Sequence, residues 1–352
     1  MNIVLLLTDN CNLRCTYCYY QNTKNRKNGD SATVTGAIDY FYKYAKKMKH
    51  DFLNITFFGG EPLLSWDLLK TGVAHAESIP DPDFRFHFAV NTNGTLLSGE
   101  KIDYMEEHKF LIYLSLDGVK KTQDSQRPLH TGGGSYDMIS PWIPRLTKSN
   151  TMVEKVITPE NVASFTTDIE FIINRGFRSI ITTPDFSGNW TRESFETLQR
   201  EYKKMYQLYL KKQKRGKALY INLIEDKIKA FLAKKSFKET CCNMGLSIFS
   251  VSPEGNIYPC TRFVTSDPGS QFLVGNIKDG IDPKKMIAIN SFHGKDKPEC
   301  VDCTIKDRCL GNSCGCVSYS TTGDIFGLNP FVCEHERMVT RMADELAEEL
   351  FG

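Results

Sequence analysis

The chain has 352 residues, 41% of them hydrophobic and 24% charged, a balance that suits a soluble globular protein with one large domain and a smaller one. Its formal charge of +2 gives no reason to expect a nucleic-acid partner, and no apolar run approaches the roughly 20 residues that span a bilayer. The start, MNIVLLLTDNC, lacks the basic flank and long apolar core of a secretory signal, so a cytoplasmic location without membrane attachment is expected.

From residue 1 to about 210, short apolar runs alternate with amphipathic stretches. Strands are expected at Ile3-Leu7, Leu53-Phe58, Arg85-Val90, Leu111-Leu116, Val153-Thr158 and Ser179-Thr183. Helices are expected at about 34–49, 65–78, 98–107, 136–148, 162–174 and 191–213. The switch from period 2 to period 3.6 predicts an α/β fold with a parallel sheet, and six units predict a partial (β/α)6 TIM-like barrel (residues 1–210). Chemistry then belongs after the strands, where Cys11 to Cys18, GGEP (59–62), NTNG (91–94), SLDG (115–118) and TPEN (158–161) lie. A Lys-rich stretch at 211–239 reads as a solvated helical connector. Residues 240–335 read as a small Cys-rich domain of short segments that needs metal staples, and 336–352 as a terminal helix.

Twelve cysteines in a reducing compartment point to metal or redox chemistry rather than disulfides. Three fall within Cys11–Cys18, nine between Cys241 and Cys333, and none from 19 to 240. Cys11, Cys15 and Cys18 follow the first strand as Cys-x3-Cys-x2-Cys. Three thiolates can hold three irons of a 4Fe-4S cube and leave the fourth iron open. Zinc is the competing reading, but a structural zinc takes four ligands and no fourth Cys or His lies nearby in sequence.

CNLRCTYCYY (11–20), with Tyr17 before the third cysteine, resembles the cluster loop of the radical S-adenosylmethionine (SAM) superfamily. GGEP, that is Gly59, Gly60, Glu61 and Pro62, resembles the family motif whose backbone holds the SAM amino group. The resemblance implies that the unique iron is chelated by SAM, and that reductive cleavage gives a 5'-deoxyadenosyl radical that abstracts a substrate hydrogen. It places Asn91 and Asn93 near the SAM ribose and carboxylate, Ser115, Asp117 and Arg127 after the next strand, and Thr158 and Asn161 beside the adenosine. Taken singly, each of these is equally a turn or cap residue.

The second group runs Cys241-Cys242, Gly255-x4-Cys260, Cys300-x2-Cys303-x5-Cys309, Cys314, Cys316 and Cys333. It resembles the SPASM domain found behind radical SAM domains, which carries two auxiliary 4Fe-4S clusters and so implies three in all. By that analogy one cluster uses Cys300, Cys303, Cys309 and Cys333. The other uses Cys260, one or both of Cys241 and Cys242, and Cys314 or Cys316. The family spacing after Cys309 is x3, whereas here it is x4 to Cys314 or x6 to Cys316. A pair of zinc ribbons is the competing reading.

Two activities share this domain order. Anaerobic sulfatase-maturing enzymes make formylglycine and carry an Asp directly after the Gly-x4-Cys cysteine, where this chain has Thr261 and Arg262. Maturases of ribosomally made peptides form thioether or carbon–carbon cross-links or related modifications, and IYPCTRFV with SLDG…RPLHTGGGSYDMI resembles them. The expected partners are a precursor peptide and a reductant such as flavodoxin or ferredoxin. Because the first strand starts at residue 2 or 3, a leader-recognition domain ahead of it is not expected, and a separate leader-peptide-binding protein is an alternative. A non-catalytic zinc-binding interaction protein is the remaining alternative.

Overall fold

The computed structural model describes residues 1–20, 26–216, 218–233, 244–264, 270–293 and 295–351. All six expected strands form: β1 (Asn2–Leu6), β2 (Phe52–Phe58), β3 (Arg85–Thr92), β4 (Leu111–Ser115), β5 (Thr151–Ile157) and β6 (Ser179–Pro184). They pair in parallel in chain order, and a two-residue β7 (Tyr220–Ile221) extends the far edge. Four later strands then join the same sheet. β8 (Ile248–Val251) runs parallel to the free edge of β1, and β9 (Asn256–Tyr258), β10 (Gly275–Asn276) and β11 (Gly280–Ile281) follow as an antiparallel meander. The result is one open sheet of 11 strands.

Alternation decides what each strand presents. In β2, Leu53, Ile55 and Phe57 are buried under the flanking helices, where Phe57 packs on Phe88 and Phe110. The opposite parity gives Phe58, Asn91, Ser115, Glu154, Val156 and Thr183, which line one cavity inside the barrel. Register confirms the row, since Ser115 opposes Glu154 and Val156 opposes Thr183.

Helices form at Ser31–Lys47, Trp66–Ser78, Gly99–Glu107 and Arg192–Gln213. The side chains of Asp30, Ser98 and Thr191 cap the first, third and fourth of these. The expected helix at 136–148 is instead three short pieces, Tyr136–Ile139, a 3-10 turn at Ser140–Trp142, and Ile143–Leu146. Pro141 and Pro144 remove backbone donors and break the run. A 3-10 turn (Val162–Ser164) precedes the helix Phe165–Arg175, which ends at Gly176 with φ +115. A further helix, Lys120–Gln126, was not expected from sequence.

The connector is also different from expectation. The helix Asn222–Ala233 buries Leu223, Ile224, Ile228 and Lys227, so it is a packed element rather than a solvated spacer. It lies against the C-terminal helix Pro330–Phe351, whose Val332, His335, Met338, Val339, Met342 and Leu346 are buried. Tyr202 reaches His335 at 3.0 Å, and the Tyr206 hydroxyl donates to the Val339 carbonyl at 3.3 Å. Among the described residues no helix is long and apolar enough to cross a membrane.

At the centre of this contact, Lys227 Nζ meets Glu336 Oε2 at 2.6 Å, and the Leu310 N–H donates to the same oxygen at 2.6 Å. Burial on its own would raise the Glu336 carboxyl, but Lys227 and His335 outweigh it and hold the group at about 2, below the ordinary 4.5. A depressed acid of this kind contributes stability in full above pH 4.5, and that contribution is lost as pH falls through 2. Lys227→Met leaves the carboxylate buried without its cation and is expected to cost about 3–5 kcal/mol. Urea denaturation at neutral pH checks this. The variant should also lose the acid-dependent part of its stability between those two pH values.

Candidate active site

The cysteine loop after β1 is held from three sides. Asp9 at its start accepts from the Tyr20 hydroxyl at 2.6 Å and from the Lys27 N–H at 2.9 Å. Arg14 and Thr16 donate backbone N–H bonds to the carbonyls of Pro128 and Gln126 at 2.8 and 2.9 Å. The N–H of Cys18 turns back to the Cys15 carbonyl at 3.2 Å. As a result Cys11, Cys15 and Cys18 all face one cavity of about 770 Å³.

GGEP closes on this loop from the end of β2. The N–H groups of Gly60 and Glu61 donate to the carbonyls of Thr8 and Asn10, both at 2.8 Å. A Cβ on Gly59 (φ +146) would sit 2.3 Å from the Thr8 oxygen, and one on Gly60 would sit 2.1 Å from the Asn10 oxygen. Only glycine permits that approach. Since both N–H groups are used inward, what this turn can offer a ligand is carbonyl oxygen, an acceptor suited to an ammonium group. Pro62 opens a 3-10 turn behind the cavity.

Glu61 joins this turn to NTNG. Its carboxylate is 1% exposed and accepts from the Leu63 N–H at 3.0 Å, the Thr92 hydroxyl at 2.7 Å and the Asn93 N–H at 2.7 Å. Burial raises its pKa to about 7 against the pull of these donors. Asn93 Nδ2 in turn donates to Asn12 Oδ1 at 2.9 Å and points to Cys11 Sγ at 3.7 Å. Asn91 Nδ2 donates to Glu154 Oε2 at 2.5 Å across the barrel interior.

Asp117 is fully buried and lies behind the cavity wall. It accepts from the Tyr17 hydroxyl at 2.5 Å, from Arg127 Nε at 2.9 Å and from the Val156 N–H at 3.0 Å. The Arg127 guanidinium lies 5.2 Å from the centre of the Tyr17 ring. This aromatic residue of the cysteine loop is therefore clamped to β4 and β5. Arg127 and Ser115 reach the cavity, whereas Thr158 and Asn161 do not. The Thr158 N–H donates to Asn161 Oδ1 at 2.9 Å, and the Asn161 N–H donates to Thr158 Oγ1 at 3.3 Å.

The later cysteines form two neighbourhoods. Cys260, Cys314 and Cys316 reach the same cavity as the cysteine loop, and the Cys316 side chain hydrogen-bonds Cys260. Cys300, Cys303, Cys309 and Cys333 lie away from it. Of these, Cys300, Cys303 and Cys333 are close enough to perturb one another electrostatically. Cys241 and Cys242 lie outside the described residues.

Among the described residues no three His, Cys, Asp or Glu side chains gather around one point where a single ion would sit. Thiolates on separate irons of a cube stand farther apart than the ligands of one ion, and the donor set around Cys11 fits such a group. The Leu13 N–H lies 3.4 Å from Cys11 Sγ, the kind of donor a cluster sulfur takes. Burial pushes the Cys15 thiol up to about 12 against the pull of Arg127, so metal binding at this thiol must displace its proton.

Carboxylates that carried no sequence signal also line the cavity: Asp9, Glu154 and Asp185. Asp185 follows β6, and its Oδ1 accepts the Ser187 N–H at 3.0 Å. The backbone of Gly188 also hydrogen-bonds to this carboxylate. Burial raises its carboxyl, with the Ser187 N–H and Arg262 pulling the other way. Arg262 stacks on Tyr19 with 5.0 Å to the ring centre.

Gly60→Ala forces the Asn10 carbonyl and the cysteine loop outward. It is expected to cost about 1–3 kcal/mol and to lower iron retention at the N-terminal cysteines while leaving far-UV circular dichroism unchanged. A thermal melt and an iron assay check the two effects.

This architecture and these motifs have known relatives. The chain is 24% identical over 286 residues to a cysteine-type anaerobic sulfatase-maturating enzyme of Clostridium novyi, covering 77% of this chain and 75% of that one. It is 22% identical over 374 residues to the radical SAM cyclopropyl synthase TigE of Paramaledivibacter caminithermalis, covering 99% and 75%. In fold it is similar to native anSMEcpe with bound AdoMet and Kp18Cys peptide, with a TM-score of 0.81, 19% identity, and coverage of 99% of this chain and 98% of that one. Residues 5–172, which hold the cysteine loop, GGEP, NTNG and the Asp117 clamp, match the radical SAM superfamily, so the chain carries a radical SAM domain, that of a superfamily of enzymes.

Proposed function

We propose that this chain is a peptide maturase that abstracts hydrogen from a ribosomally made peptide and forms a thioether or carbon–carbon cross-link or a related modification. The observation that carries the reading is the single cavity lined by two cysteine sets, Cys11, Cys15 and Cys18 from the N-terminal loop and Cys260, Cys314 and Cys316 from the later region. Its volume lies in the upper part of the usual range for small-molecule sites, which suits SAM together with a substrate side chain.

In this reading Cys11, Cys15 and Cys18 hold the SAM-binding 4Fe-4S cluster, and the later cysteines hold two auxiliary ones. When bound, the reduced cluster and SAM supply hydrogen-atom abstraction. The chain's own residues position and protect. The GGEP carbonyls receive the SAM amino group, and Asn91, Asn93 and Ser115 face the same space. The Tyr17–Asp117–Arg127 clamp keeps the cysteine loop in register. Closing a cross-link after hydrogen abstraction releases one proton and one electron. The electron would pass to the auxiliary clusters, when bound, and the Asp185 carboxylate, which lines the cavity, would accept the proton. Thr261 occupies the place where the sulfatase-maturing pattern has its Asp, so here the carboxylate comes from the end of β6 instead. In this reading a flavodoxin or ferredoxin supplies the electron for SAM cleavage, and leader recognition falls either to a separate protein or to the barrel and C-terminal region themselves.

Two experiments test the reading. Asp185→Asn is expected to keep SAM cleavage but to lower formation of modified peptide by about 10²–10⁴-fold, measured by mass spectrometry on a precursor peptide co-expressed with the chain. Equal loss of both activities would remove Asp185 from the proton-transfer role. Incubation with the Kp18Cys peptide under reducing, anaerobic conditions is expected to give no formylglycine. Its appearance would favour the sulfatase-maturing activity instead.

A further inference from the structure

Lys297 is a fully buried lysine with no carboxylate partner among the described residues. Its relative exposure is 0%, and among the described residues its ammonium donates to neutral oxygens, the Ser318 hydroxyl and the Gly327 carbonyl, the latter at 2.9 Å. The neighbouring acid is engaged elsewhere, since Asp296 Oδ2 pairs with Lys306 Nζ at 3.0 Å and its Oδ1 accepts from Asn312 Nδ2 at 2.9 Å. An ammonium taken out of water without an anion is strongly disfavoured. By contrast, the buried lysines of the rest of the fold have carboxylates, Asp168 for Lys155 and Glu336 for Lys227.

The groups that do face Lys297 are thiols. Cys300, Cys309 and Cys333 belong to the distal neighbourhood and Cys314 to the cavity-facing one, and all four act on Lys297 electrostatically. The backbone fixes the lysine between them. Its N–H donates to Asn312 Oδ1 at 3.2 Å, its carbonyl accepts from the Cys300 N–H at 2.8 Å, and its side chain ends on the helix Gly315–Thr322 that follows Cys314. Bare thiols give an ammonium little compensation, whereas thiolates bound to iron–sulfur clusters carry net negative charge.

We propose that Lys297 is the fixed counter-charge shared by the two auxiliary clusters, placed between Cys314 on the cavity side and Cys300, Cys309 and Cys333 on the distal side. This rests on the reading of the C-terminal cysteines as cluster ligands. A fixed cation favours the more negative, reduced state of a cluster and so raises its reduction potential. Lys297 therefore sets how readily the auxiliary centres accept an electron.

The test is a redox titration of the reconstituted enzyme, followed by electron paramagnetic resonance. Lys297→Met is expected to keep the wild-type iron content and to lower the auxiliary midpoint. At the potential where the wild-type centres are half reduced, the variant should be reduced at least fivefold less. An unchanged midpoint at full iron content would show a structural tie only and overturn the proposal. Should Lys297→Met fail to load, Lys297→Gln keeps a donor for Ser318 and Gly327 without the charge, and Lys297→Arg keeps the charge. A fully loaded Gln variant at the wild-type potential overturns the proposal, as does failure of the Arg variant to load. Loading by Arg alone supports it. Wild-type protein with about four irons per chain instead of about twelve would mean that the auxiliary clusters themselves are absent, a different failure from that of Lys297.

Discussion

Two backbone hydrogen bonds, from Gly60 to Thr8 and from Glu61 to Asn10, bring the end of β2 against the cysteine loop, and the site depends on that approach. It requires two glycines, because a Cβ at either would collide with a carbonyl oxygen of the facing segment. It also requires Glu61, which turns inward and gathers Leu63, Thr92 and Asn93. Through Asn93 and Asn12 the same network returns to the cysteine loop. Three strand ends are thus fixed to one another before any cofactor is considered, which is the preorganisation a cluster loop needs. On the far side of the loop, the buried Asp117 repeats the arrangement with Tyr17 and Arg127.

The fold was legible where periodicity and turn chemistry agreed. Six strands and most helices fall within a few residues of expectation, and several helices are bounded by a side-chain cap or a glycine, as at Asp30, Ser98, Thr191 and Gly176. The stretch 136–148 misled because its apolar spacing is helical while Pro141 and Pro144 forbid continuous backbone bonding. The Lys-rich connector misled because lysine count says nothing about which lysine meets an acid. Glu336, whose position in the fold supplies Lys227 with a partner, is over a hundred residues away. Continuation of the sheet from β1 into β8 was likewise invisible, since parallel pairing leaves no local signal.

The site divides in the same way. The cysteines and GGEP were legible as spaced motifs, and the structure brings Cys11, Cys15, Cys18, Gly59, Gly60, Glu61, Asn91, Asn93, Ser115 and Arg127 to one cavity. Asp117, Thr158 and Asn161 stand behind that wall as supports. Glu154 and Asp185 were missed. Glu154 sits inside a strand whose alternation reads as polar-outward, yet the interior of an open barrel is the polar side. Parity with Asn91 and Ser115 across the register is the signal that would have found it. Asp185 follows Pro184 in a turn without any motif, and only the closeness of Arg262 and the cavity distinguishes it.

The central claim is that Cys11, Cys15 and Cys18 hold the cluster that acts on SAM in this cavity. The most direct measurement is 5'-deoxyadenosine release by the dithionite-reduced, reconstituted protein, with a Cys11→Ala, Cys15→Ala, Cys18→Ala triple variant beside it. The wild type is expected to release 5'-deoxyadenosine and the triple variant to release none while keeping its auxiliary iron. Release by the triple variant, or reconstituted wild-type protein that holds zinc and no iron, would contradict it.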